Sequence, residues 1–176
     1  MRIVKAEEIT KNIKEMCIEA NLALSADVEE AICEAGKKET SELGKQIINT
    51  LEENMSIAKT EQIPICQDTG IVVCFLEIGS EVVFKGDIYE AINQGVKEAY
   101  TEGYLRKSVV KHPLDRVNTK TNEPAIVHIK MVPGDSFKIT VAPKGGGSEN
   151  MSLVKMLIPS DGLEGIKKLV LDTVFN

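Results

Sequence analysis

The 176-residue chain carries 21 Lys+Arg against 27 Asp+Glu, a formal charge of −6, with 43% hydrophobic and 27% charged residues. Those proportions fit one globular domain, or a domain with a helical extension, and exclude a wholly disordered, collagenous or coiled-coil chain. Residues 71–76 form the longest wholly apolar run, far short of the roughly 20 needed to span a bilayer, and an acidic chain with few aromatics is a poor nucleic-acid binder.

Between residues 6 and about 59 the pattern is helical. Ile9, Ile13, Met16, Cys17 and Ala20 fall on one stripe at period 3.6, and Ser25 offers an N-cap for a second stretch through Cys33. After Gly36 a third stretch carries Leu43, Ile47, Ile48, Leu51 and Met55, so the first third reads as all helix, a packing module. At Ile63-Pro64-Ile65 the composition changes. Ile71-Val72-Val73-Cys74-Phe75-Leu76-Glu77-Ile78 then reads as a central strand covered on both faces.

Gly79-Ser80-Glu81 is a turn before Val82-Val83-Phe84, and Asp87 caps a helix through Ile88, Ala91, Ile92, Gly95, Val96 and Ala99. Two more strands are expected at 125–131 and 136–142, joined by a Val132-Pro133-Gly134-Asp135 turn. The tail from Ser160 carries Leu163, Ile166, Leu169, Val170 and Val174 at helical spacing and is expected to be still helical at its end. The whole is an α+β arrangement: a helical region over residues 1–60, then a small mixed β-sheet with packed helices over residues 61–176.

Cys66-Gln67-Asp68-Thr69-Gly70 packs a thiol, an amide, a carboxylate, a hydroxyl and a permissive glycine into a turn that opens onto the apolar strand. A thiolate there serves as metal ligand or nucleophile, the carboxylate as proton carrier and the amide as a donor to bound oxygen. The bland alternative is a capped strand entry with Asp68 on backbone N–H groups and Cys66 buried. Gly145-Gly146-Gly147-Ser148 follows a strand and precedes Glu149-Asn150, a possible helix start, so its amides suit an anion, although neither a P-loop nor a GxGxxG turn is present.

Arg106 and Arg116 are two of only three arginines, the other being Arg2. Each is either a carboxylate clamp or a surface ion-pair partner. His112 and His128 lack zinc-ligand spacing. With no CxxC, disulfides are not expected; Cys17, Cys33 and Cys74 read as core, and the absence of a signal-like N-terminus points to a cytoplasmic chain.

In order, Pro64-Ile65-Cys66-Gln67-Asp68-Thr69-Gly70, Leu105-Arg106-Lys107-Ser108, Asn118-Thr119 through Asn122-Glu123-Pro124-Ala125, and Lys144-Gly145-Gly146-Gly147-Ser148-Glu149-Asn150 resemble the N-terminal part of class I fumarate hydratase and tartrate dehydratase, specifically the alpha subunit of two-subunit forms. The resemblance covers essentially the whole chain. It implies reversible hydration of a dicarboxylate, fumarate to L-malate being the leading case and tartrate dehydration the relative, on a 4Fe-4S cluster held by three cysteines with one iron open. It makes Cys66 the first cluster ligand and Gln67 and Asp68 substrate contacts, with Asp68 the acid for the departing hydroxyl. Arg106 becomes a carboxylate clamp, and Gly145, Gly146 and Gly147 a pocket wall.

No cysteine follows Cys74. The family's other two ligands lie farther along its alpha chain, so the chain is expected to be a portion of such an enzyme, unable alone to hold a stable cluster or turn over. The implied partners are the dicarboxylate, a beta subunit or C-terminal domain, and further copies in a homo- or hetero-oligomer. The alternatives are a non-catalytic dicarboxylate-binding or assembly module and a helical scaffold with an incidental glycine loop.

Overall fold

The chain begins with a strand. Residues Arg2–Lys5 form β1, which pairs in parallel with β3 (Val82–Lys85), Val4 opposite Phe84. This corrects the expectation that the first third is all helix: four residues carry too little periodicity to declare a strand, and a partner eighty residues away supplies its hydrogen bonds. The computed structural model describes residues 1–147 and 152–175, and the chain divides into two compact units, Met1–Gly145 and Gly146–Asn176.

In the first unit, α1 (Ala6–Leu22) buries Ile9, Ile13 and Cys17 on the stripe that the sequence marks. Met16 and Ala20, at its margins, stay partly or fully exposed. The face packs on α4 (Ile88–Glu102), which Asp87 caps by accepting hydrogen bonds from the N–H groups of Tyr89 and Glu90 at 2.8 and 3.0 Å. The two helices approach so closely at Gly95 that an added Cβ would lie 2.6 Å from the Thr10 carbonyl oxygen and 2.8 Å from Ile13 Cβ. Lys14 and Glu102 form an ion pair across the same helix pair.

Between them α2 (Ala26–Lys38) and α3 (Glu42–Glu61) form a hairpin. The chain turns after Lys38 rather than at Gly36, which α2 accommodates. Cys33, expected in the core, is only half-buried there; burial and the neighbouring Glu52 carboxylate push its thiol up. The reason is that α2 contributes no fully buried residue.

The second sheet has the order β4-β2-β5, with β2 (Ile71–Gly79) central, parallel to β4 (Ile126–Val132) and antiparallel to β5 (Phe137–Lys144). Val72, Cys74, Leu76 and Ile78 point into one core with Ile9, Ile13, Ile92 and Val96. The alternate residues do not: Phe75 is 48% exposed and stacks on His128, and Glu77 pairs with Lys130. Of the side chains on that face only Val73 is buried, so the expectation of a strand covered on both faces is corrected for Phe75 and Glu77.

In the second unit, a short 3-10 turn at Pro159–Asp161 leads into α5 (Gly162–Phe175), the helix expected in the tail. The expected helix start at Glu149-Asn150 lies outside the described residues. Among the described residues no helix is long and apolar enough to cross a membrane.

Candidate functional site

Residues 66–70 connect the end of the helical hairpin to the start of β2, so their direction is set by a buried strand. Cys66 and Gln67 are exposed, Asp68 is half-buried, and Thr69 and Gly70 are buried. Asp68 Oδ1 accepts the Gly70 N–H at 3.1 Å, a carboxylate-capped turn of the kind that Asp favours. The capped-entry reading therefore holds for Asp68, whereas Cys66 is an open thiol and not a buried one.

Gly70 has φ +68, and an added Cβ would lie 2.4 Å from the Lys144 carbonyl carbon and oxygen and 2.8 Å from the Gly145 nitrogen. The two glycine-bearing motifs thus touch, backbone on backbone, where β2 starts and β5 ends. Gly146 and Gly147 are exposed and begin the second unit.

Arg106 is brought to the same place. Thr69 Oγ1 donates to the Arg106 carbonyl oxygen at 2.8 Å, so the residue after Asp68 is bonded to the residue that carries the guanidinium. The Arg106 side chain is exposed, and among the described residues it forms no ion pair. An exposed guanidinium that forms no ion pair among the described residues can take an anionic ligand without first breaking a salt bridge. Arg116 is placed differently. It lies on the exposed excursion of residues 111–117, closed off by the Val110–Asn118 bridge, where His112 Nδ1 accepts the N–H groups of Leu114 and Asp115 at 3.2 and 3.4 Å.

Two buried side chains that sequence reasoning passed over hold these pieces. Tyr100, fully buried on α4, donates its hydroxyl to the Thr69 carbonyl, and burial raises its pKa so that it remains a donor at neutral and mildly alkaline pH. Asn122 is also fully buried; its Nδ2 donates to the Gly70 carbonyl at 3.1 Å and its Oδ1 accepts from Ser108 and Val109 at 2.7 and 3.2 Å. Asn118 Nδ2 donates to the Lys107 carbonyl at 2.8 Å, and Lys107 Nζ donates to that of Tyr100 at 2.6 Å. Tyr100 had a signal, since it extends the apolar stripe of α4 by one position; Asn122 stood within a family-like motif, but its role was not legible there because its partners come from two distant segments.

The model of the family described as fumarate hydratase (Fumerase) matches residues 10–176. The chain belongs to the class I fumarate hydratase family. It is 44% identical over 178 residues to the Methanocaldococcus jannaschii protein named "Putative L(+)-tartrate dehydratase subunit alpha", with 96% of this chain and 61% of that protein covered. It is 32% identical over 174 residues to L(+)-tartrate dehydratase subunit alpha of Escherichia coli UTI89, with 97% of this chain and 56% of the relative covered, and the match to the K12 protein has the same figures. The chain thus spans less than two thirds of the length of these relatives.

This family is iron–sulfur dependent, and a cluster with one open iron takes three thiolates. Cys66 suits such a ligand by exposure and by its place in the turn. Cys17 and Cys74 do not: both are fully buried in the apolar core, where burial pushes their thiols up to about 12 and about 11. Among the described residues no group of three His, Cys, Asp or Glu is arranged to hold a metal. The described residues therefore fit one ligand of a cluster and not the whole.

Proposed function

We propose that this chain is the substrate-holding portion of a hydro-lyase that adds water reversibly across the double bond of a dicarboxylate, fumarate to L-malate or, in the other direction, L(+)-tartrate to its dehydration product. The observation that carries this is the bond from Thr69 to the Arg106 carbonyl, which joins the Asp68 turn to the backbone of the segment that carries an exposed arginine, in a chain of the fumarate hydratase family.

In this reading the Arg106 fork holds one substrate carboxylate bidentately. Asp68 carries the proton that leaves with the hydroxyl on dehydration and takes one from water on hydration; the Gly70 N–H on its Oδ1 keeps the carboxyl aimed. Gln67 contacts the substrate, and the Gly145 amide, which follows β5, faces it. Removing a proton alpha to a carboxylate builds enolate-like charge, which a guanidinium and amide donors stabilise. Cys66 is one ligand of a 4Fe-4S cluster whose other ligands come from outside the described residues, in a complex that also includes a beta subunit or an equivalent domain. No step is assigned to the cluster.

The test is anaerobic assembly of this chain with the remaining subunit regions, iron and sulfide, followed by loss of the fumarate ultraviolet absorbance. Hydration should require all components and should fall by at least about 100-fold in Asp68→Asn and by about 10–100-fold in Arg106→Ala, one charge-assisted bond being worth ~1.5–3 kcal/mol. Full activity in both variants would sink the reading. Dicarboxylate binding with no turnover in the complete assembly would instead establish the non-catalytic binding module.

A further inference from the structure

We propose that Asn122 is a positioning residue that sets the separation between the Cys66–Asp68 turn and Arg106; this rests on the site reading above. A primary amide with no exposed surface is destabilising unless each polar atom is paired, and Asn122 is fully buried. Its pairing is divided between two segments that share no secondary structure. Nδ2 holds the Gly70 carbonyl, two residues after Asp68, while Oδ1 holds the N–H groups of Ser108 and Val109, two and three residues after Arg106. One rigid planar group therefore spans the gap between the carboxylate and guanidinium segments.

The rest of the frame is one-sided. Tyr100 grips only the residues 69–70 side by its hydroxyl, and Asn118 grips only the Lys107 side. Thr69 bonds directly to Arg106, but through one flexible hydroxyl. Asn122 alone among these engages the second segment through its backbone N–H groups, which in a loop would otherwise open to water.

Its backbone supplies an unusually clean test. Asn122 has φ +65, a region that glycine enters without steric cost and alanine does not. Asn122→Gly removes the three side-chain bonds while leaving the backbone unstrained. The paired variant is Tyr100→Phe, which removes a hydroxyl that bonds the residues 69–70 carbonyls and touches Asn122 but leaves the Ser108 and Val109 bonds in place.

Two readouts are taken on the full chain and on the assembled enzyme. In amide hydrogen exchange, Asn122→Gly should lose protection at least about 10-fold at Ser108 and Val109, whose N–H groups it accepts, and at the Gly70 N–H, which Asp68 holds in the turn that Asn122 anchors by its carbonyl, with Ile13 and Val96 unchanged; Tyr100→Phe should loosen the Gly70 turn and leave Ser108 and Val109 protected. In kinetics, Asn122→Gly should raise KM and lower kcat, since both the Arg106 clamp and the Asp68 carrier lose register, whereas Tyr100→Phe should lower kcat with KM within about twofold. Exchange that rises equally in α1 and α4, or that leaves Ser108 and Val109 protected, overturns the proposal, as does an identical kinetic profile in the two variants. If Asn122→Gly is too unstable to purify, Asn118→Ala replaces it, with loss of protection confined to the 107–109 side expected and spread to Gly70 overturning. If the exchange pattern holds while the wild-type assembly has no hydratase activity, the coupling stands and the hydro-lyase reading fails.

Discussion

Three glycines separate two physical reasons for which a glycine is needed, and Gly70→Ala tests both at the candidate site. Gly70 has φ +68, and its missing Cβ would fall 2.4 Å from the Lys144 carbonyl. The left-handed backbone costs an alanine ~1–2 kcal/mol, and overpacking against atoms that cannot turn away adds ~1–3 kcal/mol. The sum is ~2–5 kcal/mol, and at ~2–4 °C per kcal/mol for a chain of this size Tm should fall by about 4–20 °C. Gly134, with φ +87 and nothing within 4 Å of its Cβ position, isolates the backbone contribution at ~1–2 kcal/mol. Gly95 isolates the clash, 2.6 Å from the Thr10 carbonyl oxygen, and gains back about 1 kcal/mol because alanine prefers the helix. Urea denaturation of the three variants followed by far-ultraviolet circular dichroism gives the comparison. If Gly70→Ala and Gly134→Ala agree within about 0.5 kcal/mol, the Lys144–Gly145 backbone does not pack on Gly70 and the joining of the two motifs is wrong.

The buried thiols predict an alkaline transition. Folded Cys17 and Cys74 titrate at about 12 and about 11 against an ordinary 9.0, so above pH 9 the unfolded chain binds fewer protons and stability falls with pH, by ~1.4 kcal/mol per unit for each thiol up to its folded value. A Cys17→Ala/Cys74→Ala variant should lose that slope between pH 9 and 11 in urea titrations; an unchanged slope would refute the assignment. Thiol labelling of the native chain should modify exposed Cys66 first and half-buried Cys33 more slowly, with Cys17 and Cys74 reacting only on unfolding. Leu76→Ala, at a fully buried position, should cost ~2–5 kcal/mol, whereas Phe75→Ala on the open sheet face should cost clearly less. Equal costs would mean that the second sheet face is covered after all.

Much of the fold could be read along the chain because it follows from local periodicity. The α1 stripe, the Asp87 cap, the apolar β2 run and the Pro133-Gly134 turn each declare themselves within a few residues. β1 could not be read that way, and neither could the partly open second face of β2, where Val73 is buried and Phe75 exposed. A four-residue strand acquires its identity from β3, and whether Phe75 is covered depends on which elements cross the sheet, which no local pattern encodes. The candidate site divides in the same manner. Cys66, Asp68, Arg106 and the glycines stand out by residue type and by the family they resemble, and Asp68 could be expected to cap its own turn because that contact spans two residues.

By itself, then, the sequence determined the class of fold, the order of its elements after β1, the family and the chemical groups on offer, since all of these rest on composition, on periods of 2.0 and 3.6 residues, and on short motifs. Only the tertiary structure decided that Thr69 would bond to Arg106 across 37 positions, that Gly70 would lie against Lys144, and that Asn122 would reach 52 positions back to the Gly70 carbonyl. The physical reason is that a buried amide or hydroxyl must find whatever partner the packing of distant segments brings to it. Its identity is local, whereas its partner is a property of the whole fold.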